Sequence, residues 1–484
     1  MGLPESGGRM SLPSGLISEL SLIVGEENVR TSPEDLMPYE CDALTHVKGN
    51  PEIVVMFRTT DEVAPVVKIL AGHGVPFTAR GAGTGLAGGA TPVRGGAVLV
   101  LTRLKRIIKL NQEGRYAVVE PGVVNLELTR AAEKLGLCFA PDPASQSVCT
   151  IGGNVAANSG GPHTLKYGVT CDHILGLEVV LPNGDSLTLG GACEDAPGYD
   201  LRALMTGSEG TLGIVTRITV RLTPIPRAWK TILAAFHSLE DASEAVSAMI
   251  SAGMIPAALE IMDRRIVKAV EESFKLGLPV EAGAILIVEL DGLPQGMERA
   301  GDTAAGLCRD KGAFIVKVAK TAEERAGLWM GRKKAGAAVG RVSPSYATHD
   351  VVIPRTRLPE AARRFVEMES KYGLRIGLLS HGGDGNLHPL VFYDERDPVQ
   401  AEARKRVSHE ITRMAVELGG TVTGEHGIGA EKIEFMSDQF TSDDLAVMRG
   451  IRDFFDPAGL CNPGKVLPPP TGARSRPYRA AGEV

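Results

Sequence analysis

The chain lacks the pieces of a cysteine-built metal cluster or disulfide scaffold: seven cysteines in 484 residues, no two of them in a C-x-x-C pair. Cys41, Cys138, Cys149, Cys171, Cys193, Cys308 and Cys461 are scattered. That argues against an iron–sulfur cluster of its own and for a reducing, cytoplasmic setting. Positive charge is not in excess either. The formal net charge is -6, so no global basic field recruits nucleic acid. The longest apolar run, around Ala282 to Leu290, is far too short to cross a bilayer. Met1 to Pro13 has no apolar core of the signal-peptide kind.

What is abundant is glycine, 58 residues, beside 30 prolines and only 5% aromatic side chains. Such a polypeptide has many turns and many places where something approaches the backbone closely. Its length calls for two large domains. Leu16 to Val24 reads as a short amphipathic helix and Ile53 to Phe57 as a strand. Asp61 to Ala71 has helical spacing, and Val75 to Thr78 closes a βαβ unit. Strands follow at Val98 to Leu101, Tyr116 to Val119 and Leu177 to Leu181. The turn Pro182-Asn183-Gly184-Asp185 leads to Leu187 to Leu189, and Ile214 to Leu222 is a closing strand. After Pro224-Ile225-Pro226 a strand–helix–strand rhythm restarts: Thr231 to Phe236, Asp241 to Ser251, Ala284 to Leu290, a helix before Gly312, and Ile315 to Val318. It suggests a ferredoxin-like α+β second domain.

Three glycine segments stand out. Arg80-Gly81-Ala82-Gly83-Thr84-Gly85-Leu86-Ala87-Gly88-Gly89 follows directly on the strand of the βαβ unit. Such a loop exposes consecutive N–H groups to a phosphate. Gly83, Gly85 and Gly88 fit G-x-G-x-x-G, yet Ala90 to Gly96 cannot form the helix that a Rossmann fingerprint opens. No Asp or Glu lies between Val63 and Gln112 to hold a ribose. The second segment runs from Pro141 and Asp142 to Gly160 and Gly161, small, polar and long for a loop. The third is Gly207-Ser208-Glu209-Gly210-Thr211-Leu212-Gly213-Ile214-Val215. Together they suit a ligand longer than a mononucleotide, and FAD has that size. A glycine-rich turn without ligand is the plainer alternative for the first of them.

A different chemistry is written in Ser380-His381-Gly382-Gly383-Asp384-Gly385-Asn386-Leu387-His388 and in Gly424-Glu425-His426-Gly427. Two imidazoles in a flexible hairpin-like loop, with a carboxylate from elsewhere, make a three-ligand site with open positions. The alternative is a pair of loop histidines satisfied by backbone carbonyls.

These segments, with Pro38-Tyr39-Glu40-Cys41-Asp42 upstream, closely resemble the FAD-binding subunits of bacterial glycolate oxidases, within the vanillyl-alcohol-oxidase-type flavoproteins that include D-lactate and D-2-hydroxyglutarate dehydrogenases. The resemblance runs from about Ile17 to Leu467. It implies an α+β fold: a vanillyl-alcohol-oxidase/PCMH-type FAD-binding domain over 16–223 and a ferredoxin-like cap over 224–455 carrying substrate and metal. Residues 456–467 return to the FAD domain, and the tails 1–15 and 468–484 are flexible.

Carried over, Arg80, Gly81, Ala82, Gly83, Thr84, Gly85, Leu86 and Gly89 hold the pyrophosphate. Pro141, Asp142, Thr150, Gly152, Gly153, Asn154, Ala157 and Gly160, with Glu209, Gly210, Gly213, Ile214 and Val215, line the adenine, ribitol and ring. Asn462 returns to the flavin. Thr84 stands where members with covalent FAD carry histidine, so the FAD is expected to be non-covalent.

The resemblance also implies a zinc or manganese site at these positions; the roles expected here put the metal on His381, His388 and Glu425 and make His426 the base, a core histidine being the plainer alternative for His426. Asn386 joins the two histidines and Arg332 in meeting the substrate, Arg332 taking its carboxylate. A metal-bound alcohol is far more acidic than a free one, and histidine alone has an unperturbed pKa suited to accept its proton at neutral pH. The expected reaction is oxidation of a small D-2-hydroxy acid, of glycolate or D-lactate type, to the 2-keto acid. Positions that hold a second carboxylate in 2-hydroxyglutarate enzymes correspond to Gly336, Thr348 and Leu390, none of them a cation. Gly336 and Thr348-His349 also depart from glycolate oxidase, which keeps longer hydroxy acids open. Companion flavin and iron–sulfur subunits leading to quinone, at the periphery of the inner membrane, are implied as electron acceptors. A non-catalytic flavin-binding subunit is the competing class; it needs neither the histidine pair nor Glu425-His426.

Overall fold

The computed structural model describes residues 10–193 and 197–469. The expected tails 1–15 and 468–484 lie largely outside them. The polypeptide forms two compact units. The first holds Met1–Ser159, Val169–Ile225 and Glu425–Val484, and the second holds Gly160–Gly168 and Pro226–Gly424.

The first unit begins with α1 (Leu16–Val24), whose Leu16, Leu20 and Val24 are buried at helical spacing. Strand β1 (Ile53–Met56), helix α2 (Val63–Gly72), and strands β2 (Phe77–Arg80) and β3 (Ala97–Val100) follow. A capping box from Thr59 to Glu62 starts the turn that leads into α2. The expected βαβ unit is present with one difference: β3 lies between β1 and β2 and is parallel to both. A second, five-stranded sheet has the order β4 (Ile107–Asn111), β5 (Tyr116–Val119), β8 (Ile214–Arg221), β6 (Ile174–Val180), β7 (Ser186–Gly190), antiparallel throughout. The β6–β7 loop is the turn read at 182–185, with Gly184 at φ 89. Residues 141–161 are not all loop: α3 (Ile151–Ala157) forms there, because Thr150 caps it by accepting from Gly153 N at 3.2 Å.

The second unit is built on one large antiparallel sheet. Its strands are β9 (Ala228–Phe236), β10 (Ala258–Asp263), β11 (Ala284–Gly292), β12 (Ile315–Val318), β13 (Ser345–Thr348), β14 (Arg375–His381) and β15 (Asn386–Tyr393), in the order β12-β9-β11-β10-β14-β15-β13, with the two-residue strand Val351–Val352 also paired to β15. Its long helices are α4 (Leu239–Ser251), α5 (Arg264–Phe274), α6 (Met297–Asp310), α7 (Ala322–Val339), α8 (Leu358–Tyr372) and α9 (Pro398–Glu417). Strand side chains alternate between faces. Leu259, Ile261, Leu286, Val288, Leu378 and Val391 join α4, α6, α8 and α9 in one core, and Met262, Ile285, Ile287, Leu379 and Phe392 join α5 and α7 in the other.

The unit boundaries differ from the sequence reading in three places, the smallest being the hinge, where residues 224–225 belong to the first unit. Gly160–Gly168 belongs to the second unit, tied down where Lys166 and Tyr167 hydrogen-bond the Asp291 carboxylate. Residues 425–455 belong to the first, where Glu209 holds the backbone just beyond His426.

Candidate active site

In the first unit the glycine loop after β2 is fastened from three sides. Arg80 is buried and donates from Nη1 to Cys41 O at 2.8 Å, with its guanidinium over the Tyr39 ring. Its charge therefore ties the loop to the upstream segment. Asn462 comes back from the end of the polypeptide beside β2: its backbone N donates to Phe77 O at 2.7 Å, and its Nδ2 donates to Gly89 O at 2.9 Å and Glu209 O at 2.7 Å. One side-chain amide thus joins β2, the first glycine segment and the third. Lys465 is fully buried and donates from Nζ to Thr91 O. Burial drags its pKa down to about 7 against the pull of Asp42 and Glu209.

The fit to a dinucleotide is tested by what a side chain would hit. A Cβ on Gly81 would lie 2.5 Å from Thr150 Oγ1, and one on Gly152 would lie 2.6 Å from Pro121 Cβ. Gly83 has φ 71. The first and second segments thus touch each other closely, and glycine is what lets their backbones approach. The third joins them: Gly207 N and Glu209 N donate to Val155 O and Ala156 O in α3, both at 2.8 Å. Of the expected flavin residues, Gly160 alone falls in the second unit.

Glu209 also reaches the loop after His426. Its Oε1 accepts from Ile428 N and its Oε2 from Gly429 N, both at 2.7 Å. Burial raises this carboxyl to about 7, opposed by those two amides and by Lys465 and Lys432. Gly427 and Gly429 have φ 86 and 54, and a Cβ on Gly429 would lie 1.8 Å from Ala87 O. The His426 loop is therefore laid directly on the first glycine segment.

In the second unit the two histidines are not in a flexible loop. His381 ends β14 and His388 lies in β15, 5% and 7% exposed. The hairpin register places His381 opposite Asn386 and His388 opposite Leu379. The residues between, Gly382 to Gly385, form the turn, with Gly385 at φ 85 and Asn386 N donating to Asp384 Oδ1 at 3.0 Å. Both imidazoles point to the α7 side of the sheet and meet edge to face, ring centroids 5.1 Å apart.

Two acids that sequence reasoning missed complete this cluster. Glu260, 0% exposed, lies opposite His381 in the β10–β14 register. Its Oε1 is 2.6 Å from His381 Nδ1, and its Oε2 accepts from Arg332 Nε, also at 2.6 Å. Burial pushes its pKa up, but His381 and Arg332 outweigh that and hold it below the usual carboxylate range. Asp350, also 0% exposed, sits 3.9 Å from His388 Nδ1 and accepts from Gly424 N at 2.9 Å. The available signal was an acid inside the apolar run Ala258-Leu259-Glu260-Ile261-Met262.

Arg332 comes from α7, its side chain 12% exposed. Asn386 is buried, and its Oδ1 has no hydrogen-bond partner among the described residues. A donor set of imidazole nitrogens and carboxylate oxygens is the kind that zinc or manganese takes. Gly336 follows Arg332 by four residues on the same helical face, and a Cβ there would meet nothing within 4 Å. Leu390 is buried in the apolar core opposite Thr348. Among the described residues no helix is long and apolar enough to cross a membrane.

Two family models match the sequence: the FAD binding domain over residues 51–190, and the C-terminal domain of FAD linked oxidases over 225–466. The glycolate oxidase subunit GlcD of Escherichia coli (strain K12) is 43% identical over 435 residues, covering 90% of this chain and 87% of that one. The same subunit from Bacillus subtilis is 39% identical over 450 residues, covering 93% and 96%. A D-lactate dehydrogenase of Anaerostipes hadrus is 34% identical over 432 residues, covering 87% and 90%. Among solved structures, p-cresol methylhydroxylase with bound substrate superposes with a TM-score of 0.77 at 18% identity, over 94% of this chain and 98% of that one. That likeness is one of fold.

Proposed function

The chain belongs to the family of FAD-linked oxidases and is an FAD-linked oxidoreductase with a PCMH-type FAD-binding domain; from that premise we propose that it oxidises a small D-2-hydroxy acid to the 2-keto acid. Glycolate and D-lactate are the favoured substrates, as the names of the relatives suggest. The observation that carries the reading is the hydrogen-bonded line Arg332–Glu260–His381, which holds a guanidinium beside an imidazole pair.

The three glycine segments and Asn462 would hold FAD without a covalent link, and the bound flavin would supply the hydride acceptor. His381, His388 and Glu425 would hold a zinc or manganese ion, which would supply acidity to the substrate hydroxyl. Glu425 is the residue after Gly424, whose N–H is bound to Asp350. Arg332 takes the substrate carboxylate, for which its planar guanidinium is suited. Asn386, with an uncommitted Oδ1, orients the hydroxyl. His426 accepts the hydroxyl proton. Residues 16–223 and 456–467 serve the flavin, and 224–455 serves substrate and metal.

A dicarboxylate finds no second cation at Gly336, Thr348 or Leu390, so a monocarboxylate is preferred. The open space at Gly336 supports a second reading, a D-2-hydroxy acid with a longer carbon skeleton. Electrons leave to a non-nicotinamide acceptor, through companion flavin and iron–sulfur subunits leading to quinone. The location that goes with this reading is the cytoplasm, at the inner membrane only through those partners.

The test is His426→Ala. FAD absorbance near 450 nm is retained, and anaerobic flavin reduction by glycolate or D-lactate is lost. Rapid reduction in the variant defeats the assignment. Comparing kcat/KM for glycolate, D-lactate, D-2-hydroxybutyrate, D-mandelate and D-2-hydroxyglutarate identifies the substrate, and a preference for the last overturns the monocarboxylate reading.

A further inference from the structure

Of the acids buried in the second unit, Glu260 is placed unlike its neighbour Glu289. Glu289 is 1% exposed and saturated by structural donors: Arg325 grips it with Nε and Nη2, and Thr231 Oγ1 and Trp329 Nε1 donate as well. That network holds α7 onto the sheet. Glu260 lies on the adjacent strand, β10 beside β11, and faces the same side of the sheet. Its donors are a different pair, Arg332 and His381, the residues assigned above to substrate and metal.

A carboxylate taken wholly out of water is costly unless both oxygens are satisfied. A packed hydrophobic residue at this position would fill the space without that penalty. The charge at Glu260 is therefore explained by what it does to its two partners.

An ionised carboxylate only accepts hydrogen bonds. With Glu260 Oε1 2.6 Å from Nδ1 of His381, the proton of that imidazole belongs on Nδ1, and the Nε2 lone pair is the one presented to a ligand. Glu260 Oε2 takes Arg332 through Nε. Among the described residues the two terminal nitrogens of Arg332 have no acceptor, and they form the fork that a substrate carboxylate needs.

We propose that Glu260 is the positioning residue of this site: its single carboxylate fixes the tautomer and aim of His381 toward the metal and the plane of Arg332 toward the substrate carboxylate. Metal affinity and substrate affinity then share one support, although strand, helix and hairpin lie far apart in sequence. The proposal rests on the functional reading above.

The experiment uses the full-length FAD-loaded protein, freed of metal by chelation and titrated with Zn2+, and with Co2+ read by its visible absorption. In Glu260→Gln the amide offers one oxygen where two donors converge. Expected are a loss of Zn2+ and Co2+ affinity on the order of 10- to 100-fold, an altered Co2+ spectrum and a raised KM for the 2-hydroxy acid, all at unchanged FAD content. Arg332→Lys, by contrast, raises KM and leaves Co2+ binding nearly unchanged. If E260Q binds Co2+ with the affinity and spectrum of the parent, the proposal is overturned while the functional reading stands. If the parent itself binds neither Zn2+ nor Co2+, both fall.

Should E260Q emerge without flavin, Glu260→Asp carries the test. Its carboxylate, one methylene shorter, keeps the charge but reaches only one of the two donors. At normal FAD content either Co2+ affinity falls or KM rises, and parental values of both overturn the proposal.

Discussion

Glu209 Oε1 accepts from the backbone N–H of Ile428 at 2.7 Å, so a residue of the third glycine segment grips the backbone two positions beyond His426. Its other oxygen takes Gly429 N at the same distance. The loop bearing the proposed base is thereby fixed to a segment proposed to line the flavin, and both lie in the first unit.

Replacing Glu209 by Gln therefore sets an NH2 group against one of two amides that both need an acceptor. The expected cost is about 1–3 kcal/mol of stability, with FAD retained and kcat lowered roughly tenfold, equivalent to about 1.4 kcal/mol of misplacement in the reaction. Steady-state kinetics alongside a thermal melt check it. Unchanged kcat would show that the grip does not reach the base.

Gly81 and Thr150 form a pair for a double-mutant cycle. A methyl group on Gly81 would press on Thr150 Oγ1 at 2.5 Å. Gly81→Ala should lower the flavin bound after purification, read as the 450 to 280 nm absorbance ratio. Adding Thr150→Ala removes the obstructing atom and restores part of that flavin, at the expense of about 1 kcal/mol for the lost helix cap. Additive losses in the double variant count against the contact.

Asp263 caps α5 by accepting from Ile266 N at 3.0 Å, and burial raises its carboxyl from 3.8 to about 7. A carboxyl raised in the folded state contributes stability that is complete below about pH 4 and lost as pH climbs through about 7. Asp263→Asn keeps an oxygen for the cap and carries no proton to lose. Its melting temperature relative to the parent should thus rise between about pH 5 and pH 8. A difference that stays flat over that span contradicts the burial argument.

Gly336 has open space around its missing Cβ, one helical turn on from Arg332. Gly336→Leu should fold normally and strengthen α7 by about 1 kcal/mol. If the space receives substrate, kcat/KM for D-2-hydroxybutyrate and longer acids falls roughly tenfold relative to glycolate. Parallel changes for acids of every length would place Gly336 away from the substrate.

The sequence discloses those parts whose chemistry is local. A glycine loop after a strand, an Asn-Gly turn and a histidine-rich stretch each announce themselves within a short window. The helix Ile151–Ala157 reads as loop because Gly152 and Gly153 are poor helix formers. Gly152 is tolerated because its backbone packs on Pro121. The histidine hairpin looks flexible for the same reason, although its glycines occupy only the turn. Glu260 and Asp350 stay hidden because their roles come from long-range register: Glu260 meets its histidine across a separation of 121 residues. Nothing nearby in sequence marks that pairing, save an acid where an apolar residue was due.

The return of the C-terminal segment to β2 governs how the protein is made. Asn462 contacts Thr78 across 384 residues, and Leu460 O accepts from Phe77 N at 2.9 Å. On the ribosome the edge of β2 waits bare while almost every later residue is synthesised, including the entire second unit. The sheet edge is then closed late in biogenesis, and a nascent polypeptide stalled before position 460 exposes a strand edge open to mispairing with its neighbours.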